Sequence, residues 1–124
     1  MDEICQELRK SVEKCLEIGI KSDKLIVDPG LGFGKRASHN LEILQHLNRL
    51  SILRCPILTG PSRKSFIGVI LGGPVRERIW GTAAAVSASI LHGAHIVRVH
   101  DVREMADVAK VTDAVLNYTT FQNL

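Results

Sequence analysis

The sequence has no apolar run approaching the ~20 residues that a membrane-spanning helix needs, so no such helix is expected. Its first ten residues, "MDEICQELRK", are charged and lack the apolar core of a signal peptide. It has three cysteines, Cys5, Cys15 and Cys55, an odd number without C-x-x-C spacing. That pattern argues against a disulfide frame or a zinc site and for ordinary buried thiols of a reducing compartment. No H-x-H or H-E-x-x-H spacing supports a metal site. There is no block of like charge either. The net charge is +3, with Lys and Arg interspersed among Asp and Glu, which gives no grounds for a nucleic-acid partner. These absences together predict a cytoplasmic protein, and they leave small anionic substrates open. Aromatic residues make up 4% of the chain, and Phe66 and Trp80 are expected in the core.

The 124 residues are 45% hydrophobic and 23% charged, which suits one globular domain with a real core. Ile4, Leu8, Val12, Cys15 and Leu16 recur at helical spacing, so residues 2–18 read as a helix closed by Gly19. "KLIVD" reads as a buried strand ended by Pro29 and Gly30, and "GLGFGKRAS" as a loop. Ser38 is placed to cap a helix with Leu41, Leu44 and Leu47 on its apolar face. "PILTG" is a second strand, followed at once by a helix over "SRKSFIGVILG" and a longer one over "VRERIWGTAAAVSASILHG". "HIVRV" is the third strand, with His95 facing the helices, and Met105, Val108, Val111, Val115 and Leu116 mark a last helix. Wholly apolar strands separated by helices predict an α/β fold with a parallel sheet. A doubly wound sheet and part of a (β/α)8 barrel both remain open. In each, ligands bind beyond the carboxyl ends of the strands.

Polar residues gather at those ends. The first strand stops at Asp28, a residue that either caps the "DPG" turn or accepts paired N–H bonds from a ligand. "GLGFGK" lacks the spacing of a phosphate loop, since Arg36 follows Lys35. Phe33 in it either covers a flat ligand or folds back on the core. In "GPSRKS", residues 62–65 open a helix whose free N–H groups favour an anion, with Ser65 adding a hydroxyl and Lys64 a charge. A capped helix with solvated Arg63 and Lys64 is the alternative. In "HIVRVHD", Ile96, Arg98 and His100 share one face of the strand. Arg98 suits bidentate phosphate binding and His100 adds a donor or a proton. The competing account is an Arg98 ion pair with Asp101 or Asp28. Burying both groups costs several kcal/mol without counter-charges, which favours a ligand.

"DPGLGFGK", "GPSRKSFIG", "RERIWGTAAA" and "RVHDV" occur in that order. Together they closely resemble the C-terminal part of bacterial dihydropteroate synthase, the folate-pathway enzyme, from about the first helix to Leu116. The resemblance implies a transferase built on a (β/α)8 TIM barrel. Residues 1–124 would then be the C-terminal part of a pterin-binding domain and would contribute its last three βα units (strands 6–8). It implies condensation of 7,8-dihydropterin-6-ylmethyl diphosphate with 4-aminobenzoate, releasing diphosphate. By the same resemblance Asp28 would bind the pterin edge and Lys64 the pterin's polar ring atoms. Phe33 and Ser65 would contact aminobenzoate, and Arg98 and His100 would hold the diphosphate, with Arg98 also over the pterin. Arg98, His100 and Lys64 are the expected catalytic residues. Mg²⁺ is the family's expected cofactor, bound through a first-strand asparagine with no counterpart in this chain. A full barrel needs ~250 residues, so this chain is expected to be inactive alone and to need an N-terminal half. A homodimer of the complete enzyme stays open. Two alternatives are a non-catalytic remnant and a pterin-dependent methyltransferase domain, the latter opposed by "SRKS" together with "RVH".

Overall fold

Apolar residues spaced three and four apart put most of the chain into helices. A computed structural model describes residues 1–34 and 36–121. Its α-helices are α1 (Asp2–Glu17), α2 (Ala37–Gln45), α3 (Ser65–Leu71), α4 (Ile79–Leu91) and α5 (Val102–Leu116). Two short strands, β1 (Leu58–Thr59) and β2 (Ile96–Val97), pair in parallel, with Leu58 opposite Ile96 and Thr59 opposite Val97. The result is a helix-rich α/β structure around a two-stranded parallel sheet.

The strand expected over residues 24–28 is shorter than its apolar pattern suggests. Only Val27 joins the sheet, as an isolated parallel bridge to Ile57. Its N–H donates to the Pro56 carbonyl and its carbonyl accepts from Leu58 N. The Ile57 and Thr59 carbonyls point the other way and accept from Ile96 and Arg98. The spatial order is therefore Val27, β1, β2. A 3-10 turn (Ser22–Lys24) precedes the bridge, and the Asp28–Pro29–Gly30 turn follows it, so neither flank can extend the pairing.

Side chains alternate across the sheet. Val27, Ile57 and Thr59 face the helices and are buried. Ile26, Leu58 and Ile96 face the opposite side, where Ile26 is 54% and Ile96 37% exposed. The helix-side core joins Val27 and Ile57 to Leu31, Ile43, Leu44, Leu47, Leu50, Phe66 and Ile67, and α1 covers it with Ile4, Leu8 and Val12. A second cluster of Val86, Ile90 and Met105 packs α4 on α5.

Several expectations are corrected. Ser38 caps nothing: α2 begins at Ala37, Arg36 holds the cap position without a side-chain bond, and Leu47 belongs to a separate 3-10 segment (Leu47–Leu53). Residues 75–93 are not one helix but a 3-10 turn (Val75–Glu77) and then α4. Pro74 sets the entry, and the Arg78 side chain is drawn to the Arg63 carbonyl. Trp80 is 80% exposed rather than in the core. It lies about 200° round α4 from Thr82, at 3.6 residues per turn, opposite the buried face of Thr82, Ala85, Val86 and Ser89. Phe66 is buried as expected. Cys55 is buried, whereas Cys5 and Cys15 are only partly covered. His95 is exposed, and its Nδ1 accepts the Ile57 N–H at 3.1 Å instead of packing among helices.

Candidate active site

Beyond the carboxyl ends of the three chain segments lies a cavity of about 330 Å³, lined by Asp28, Leu31, Phe33, Gly60, Ser62, Lys64, Arg98, Val99 and His100. Asp28 stands where the bridge segment stops. Its Oδ1 accepts Gly30 N–H at 2.8 Å, so it holds the turn and also lines the cavity. The loop after it carries Phe33, which is exposed, and its ring lies under Lys64 Nζ at 4.4 Å to the centroid. Gly32 makes that approach feasible. It sits at φ +84, and a Cβ there would come within 2.8 Å of Lys64 Cδ. Gly60 also faces Arg98, but a Cβ there would meet the arginine's Cβ at 3.9 Å, an ordinary contact.

A set of hydrogen bonds behind the cavity fixes these groups. Ser62 is buried, and its Oγ lies 2.9 Å from His100 Nδ1 and accepts His100 N–H at 3.2 Å. Arg63 turns away from the cavity and grips Asp101 with two N–H donors, Nη2 to Oδ1 at 2.6 Å and Nε to Oδ2 at 3.2 Å. Arg63 has a positive φ of 58, uncommon for a residue with a side chain. Its N–H donates to Thr82 Oγ1, and its carbonyl accepts from Arg78 Nη1. This clasp directs two consecutive basic residues oppositely, Arg63 to Asp101 and Lys64 to Phe33. Asn40, 1% exposed on α2, accepts Gly32 N–H at 2.6 Å and donates to the Arg36 carbonyl at 2.9 Å. It thereby ties both ends of the Phe33 loop to a helix. Lys35, part of that motif, lies outside the described residues.

The hydrogen bonds from Arg63 hold the Asp101 carboxyl below the usual carboxylate range, and Asp101 raises Arg63 in turn. Arg98 makes no ion pair among the described residues. Its positive charge and that of Lys64 share the cavity with the single carboxylate of Asp28. Among the described residues no three of His, Cys, Asp and Glu gather as metal ligands would.

A family model described as pterin binding enzyme matches residues 1–100. The chain belongs to this family. It is 46% identical over 114 residues to a dihydropteroate synthase of Synechocystis, covering 91% of this chain and 39% of that protein. With the dihydropteroate synthase of Escherichia coli K12 the identity is 41% over 108 residues, covering 87% and 38%. A solved dihydropteroate synthase of Xanthomonas albilineans, in complex with 7,8-dihydropteroate, matches with a TM-score of 0.90 and 37% identity, over 94% of this chain and 44% of that one. The chain thus spans about two-fifths of the length of these two curated relatives. Its structural neighbours are TIM-barrel enzymes.

Set beside this pterin-binding membership, the structure gathers most of the expected site residues. Asp28, Phe33, Lys64, Arg98 and His100 line one cavity. Ser65 does not: it is the exposed first residue of α3 and stands outside the lining. The anion-binding helix start expected at residues 62–65 is also reduced. Residues 62 and 63 form a turn, and the N–H groups of Arg63, Lys64 and Ile67 are already bonded within the protein. The Asp101 carboxylate, weighed as a partner of Arg98 in the competing account, is bound by Arg63. Sequence reasoning missed Asn40, Ser62 as a partner of His100, Thr82 and Arg78. Asn40 stands three and four residues before Ile43 and Leu44 on the buried face of α2, and a lone polar residue in that row was its signal; no signal in the sequence pairs Ser62 with His100.

Proposed function

We propose that this chain contributes the C-terminal part of a cytoplasmic dihydropteroate synthase, as strands 6–8 of its barrel. The reaction condenses 7,8-dihydropterin-6-ylmethyl diphosphate with 4-aminobenzoate. The observation that carries this reading is the meeting of Asp28, Lys64, Arg98 and His100 in one cavity at the strand ends. The X. albilineans relative, named for its complex with 7,8-dihydropteroate, supports it.

In this reading the Asp28 carboxylate accepts the N3–H and 2-amino hydrogens of the pterin. Lys64 donates to the pterin's ring acceptors, and Phe33 covers the aminobenzoate ring. Ser65, outside the cavity lining, meets the aminobenzoate carboxylate only at the rim. Arg98 and His100 hold the diphosphate. As the bond from the pterin methylene carbon to the diphosphate oxygen breaks, its electron pair stays on the diphosphate. The two donors stabilise that developing charge. The aminobenzoate nitrogen then bonds to the carbon and loses one proton to solvent, so no side chain forms a covalent intermediate.

Calorimetric titration of the chain with inorganic diphosphate tests the anion site. Activity is tested by mixing the chain with a separately expressed N-terminal half and assaying dihydropteroate formation. Binding that Arg98→Ala abolishes, with activity only in the mixture, is the expected result. No diphosphate binding and no activity in the mixture would refute the assignment.

A further inference from the structure

Ser62 Oγ does two things at once. It accepts the backbone N–H of His100 at 3.2 Å and lies 2.9 Å from Nδ1 of the same residue. A hydroxyl has one hydrogen to donate, and its oxygen is here the acceptor for the amide. The side chain is buried, with 5% of the residue exposed, so its O–H needs an acceptor inside the protein. Among the described residues, His100 Nδ1 is the acceptor within reach. We infer that Ser62 is a positioning residue, whose hydroxyl donates to His100 Nδ1 and keeps the proton of the neutral ring on Nε2.

The consequence lies on the far edge of the ring. Nδ1 is turned to the protein and Nε2–H becomes the free donor. His100 and Arg98 line the same cavity, so the N–H joins the guanidinium as a second donor to an anion. The other tautomer would present a lone pair there and repel an oxyanion. Asp101, the adjacent acid, makes no hydrogen bond to the ring among the described residues; its oxygens are turned to Arg63. The step that involves an anion rests on the proposed function; the tautomer assignment does not.

Long-range proton–nitrogen correlation spectra of the 124-residue chain, taken at alkaline pH where histidine rings are neutral, read the tautomer directly. His100 signals are assigned by their loss in His100→Gln. Nε2 is expected to be the protonated nitrogen. Ser62→Ala should move His100 toward an averaged mixture of tautomers, and Ser62→Thr, which keeps the hydroxyl, should restore the original pattern. A wild-type His100 protonated on Nδ1 overturns the inference, as does a Ser62→Ala spectrum unchanged from wild type. Should Ser62→Ala fail to fold, Nε2–H in both wild type and Ser62→Thr supports the inference, and Nδ1–H in either overturns it. Titration with inorganic diphosphate separates this from the functional reading. Ser62→Ala should bind roughly two- to fivefold more weakly, because the competent ring is then only a fraction of the population. Wild type with an Nε2–H ring that binds no diphosphate, and gives no activity with the N-terminal half, would sink the functional reading alone. Wild type that binds it with an Nδ1–H ring would sink this inference alone.

Discussion

Lys64 and Arg63 are neighbours in sequence with opposite tasks. Lys64 lies over Phe33 in the cavity, and Arg63 is bound to Asp101 behind it. Lys64→Ala should therefore weaken pterin binding by about 1.5–3 kcal/mol, the scale of a lost charge-assisted contact. Arg63→Ala should mainly lower the melting temperature. Ligand titration and thermal melts of both variants check this, and equal, small effects on binding would return Lys64 to a solvated role. Arg98→Ala and His100→Ala, made in a complete barrel, should impair use of the diphosphate ester more than aminobenzoate binding. Kinetics with each substrate varied would show it, and unchanged kinetics in both variants would remove them from the anion site. Asp101 adds a pH dependence. Its carboxyl is held below the usual range in the folded chain by Arg63, so the pair stabilises the fold above that range. The contribution disappears as pH falls through the lowered value. Wild type should melt above Asp101→Asn at pH 6, by a margin that closes as the pH drops below about 4, where a free aspartate becomes protonated. The pair is partly exposed, so the margin is modest. A margin that stays constant down to pH 2 would show that the ion pair is not its source.

At the scale of elements, α2 holds the Phe33 loop through Asn40. Asn40 bonds Gly32 on one side and Arg36 on the other, and it is buried while doing so. Asn40→Ala leaves the Gly32 N–H without that acceptor and should destabilise the chain by about 1–3 kcal/mol. Asn40→Asp keeps the acceptor for Gly32 and loses the donor to Arg36, so it should retain more of the loop's order. Amide hydrogen exchange at Gly32 reads the difference: fast in Asn40→Ala, slower in Asn40→Asp. Equal protection at Gly32 in wild type and Asn40→Ala would show that the helix does not anchor the loop. The α3–α4 contact depends on close approach in the same way. At Gly81 a Cβ would press on Ile67 and Leu71, and at Gly68 on the Arg78 guanidinium that supports the Arg63 carbonyl.

For the molecule as a whole, the described sheet has two open edges and an uncovered face. Ile26, Leu58 and Ile96 lie on that face. Unpaired strand edges and exposed apolar surface both drive association. Residues 1–124 alone should self-associate and should not form dihydropteroate, and an added N-terminal half should reduce the association. Light scattering with and without that half, together with the activity assay, makes the comparison. A monomeric chain with full activity by itself would overturn this account.

Local patterns decided a good deal at the level of sequence. The apolar spacing of α1 and α5 was enough to place them, because a helix's own period is written in consecutive residues. The ordered motifs around Asp28, Lys64 and Arg98 marked the cavity, because polar side chains at the ends of apolar strands need a partner. Alternation along "HIVRVHD" set Arg98 and His100 together on one face for the same local reason. What tertiary structure decided were the pairings across long separations. Asp101 went to Arg63 rather than Arg98, Ser62 to His100, and Asn40 to the Phe33 loop. Each depends on where two distant segments come to rest. Residues 62 and 100 are brought together only because β1 and β2 run in parallel and end at the same level. Trp80 was misplaced for a related reason. Hydrophobicity says that a side chain benefits from burial, but only the packing of α4 against α3 and α5 decides which face receives it.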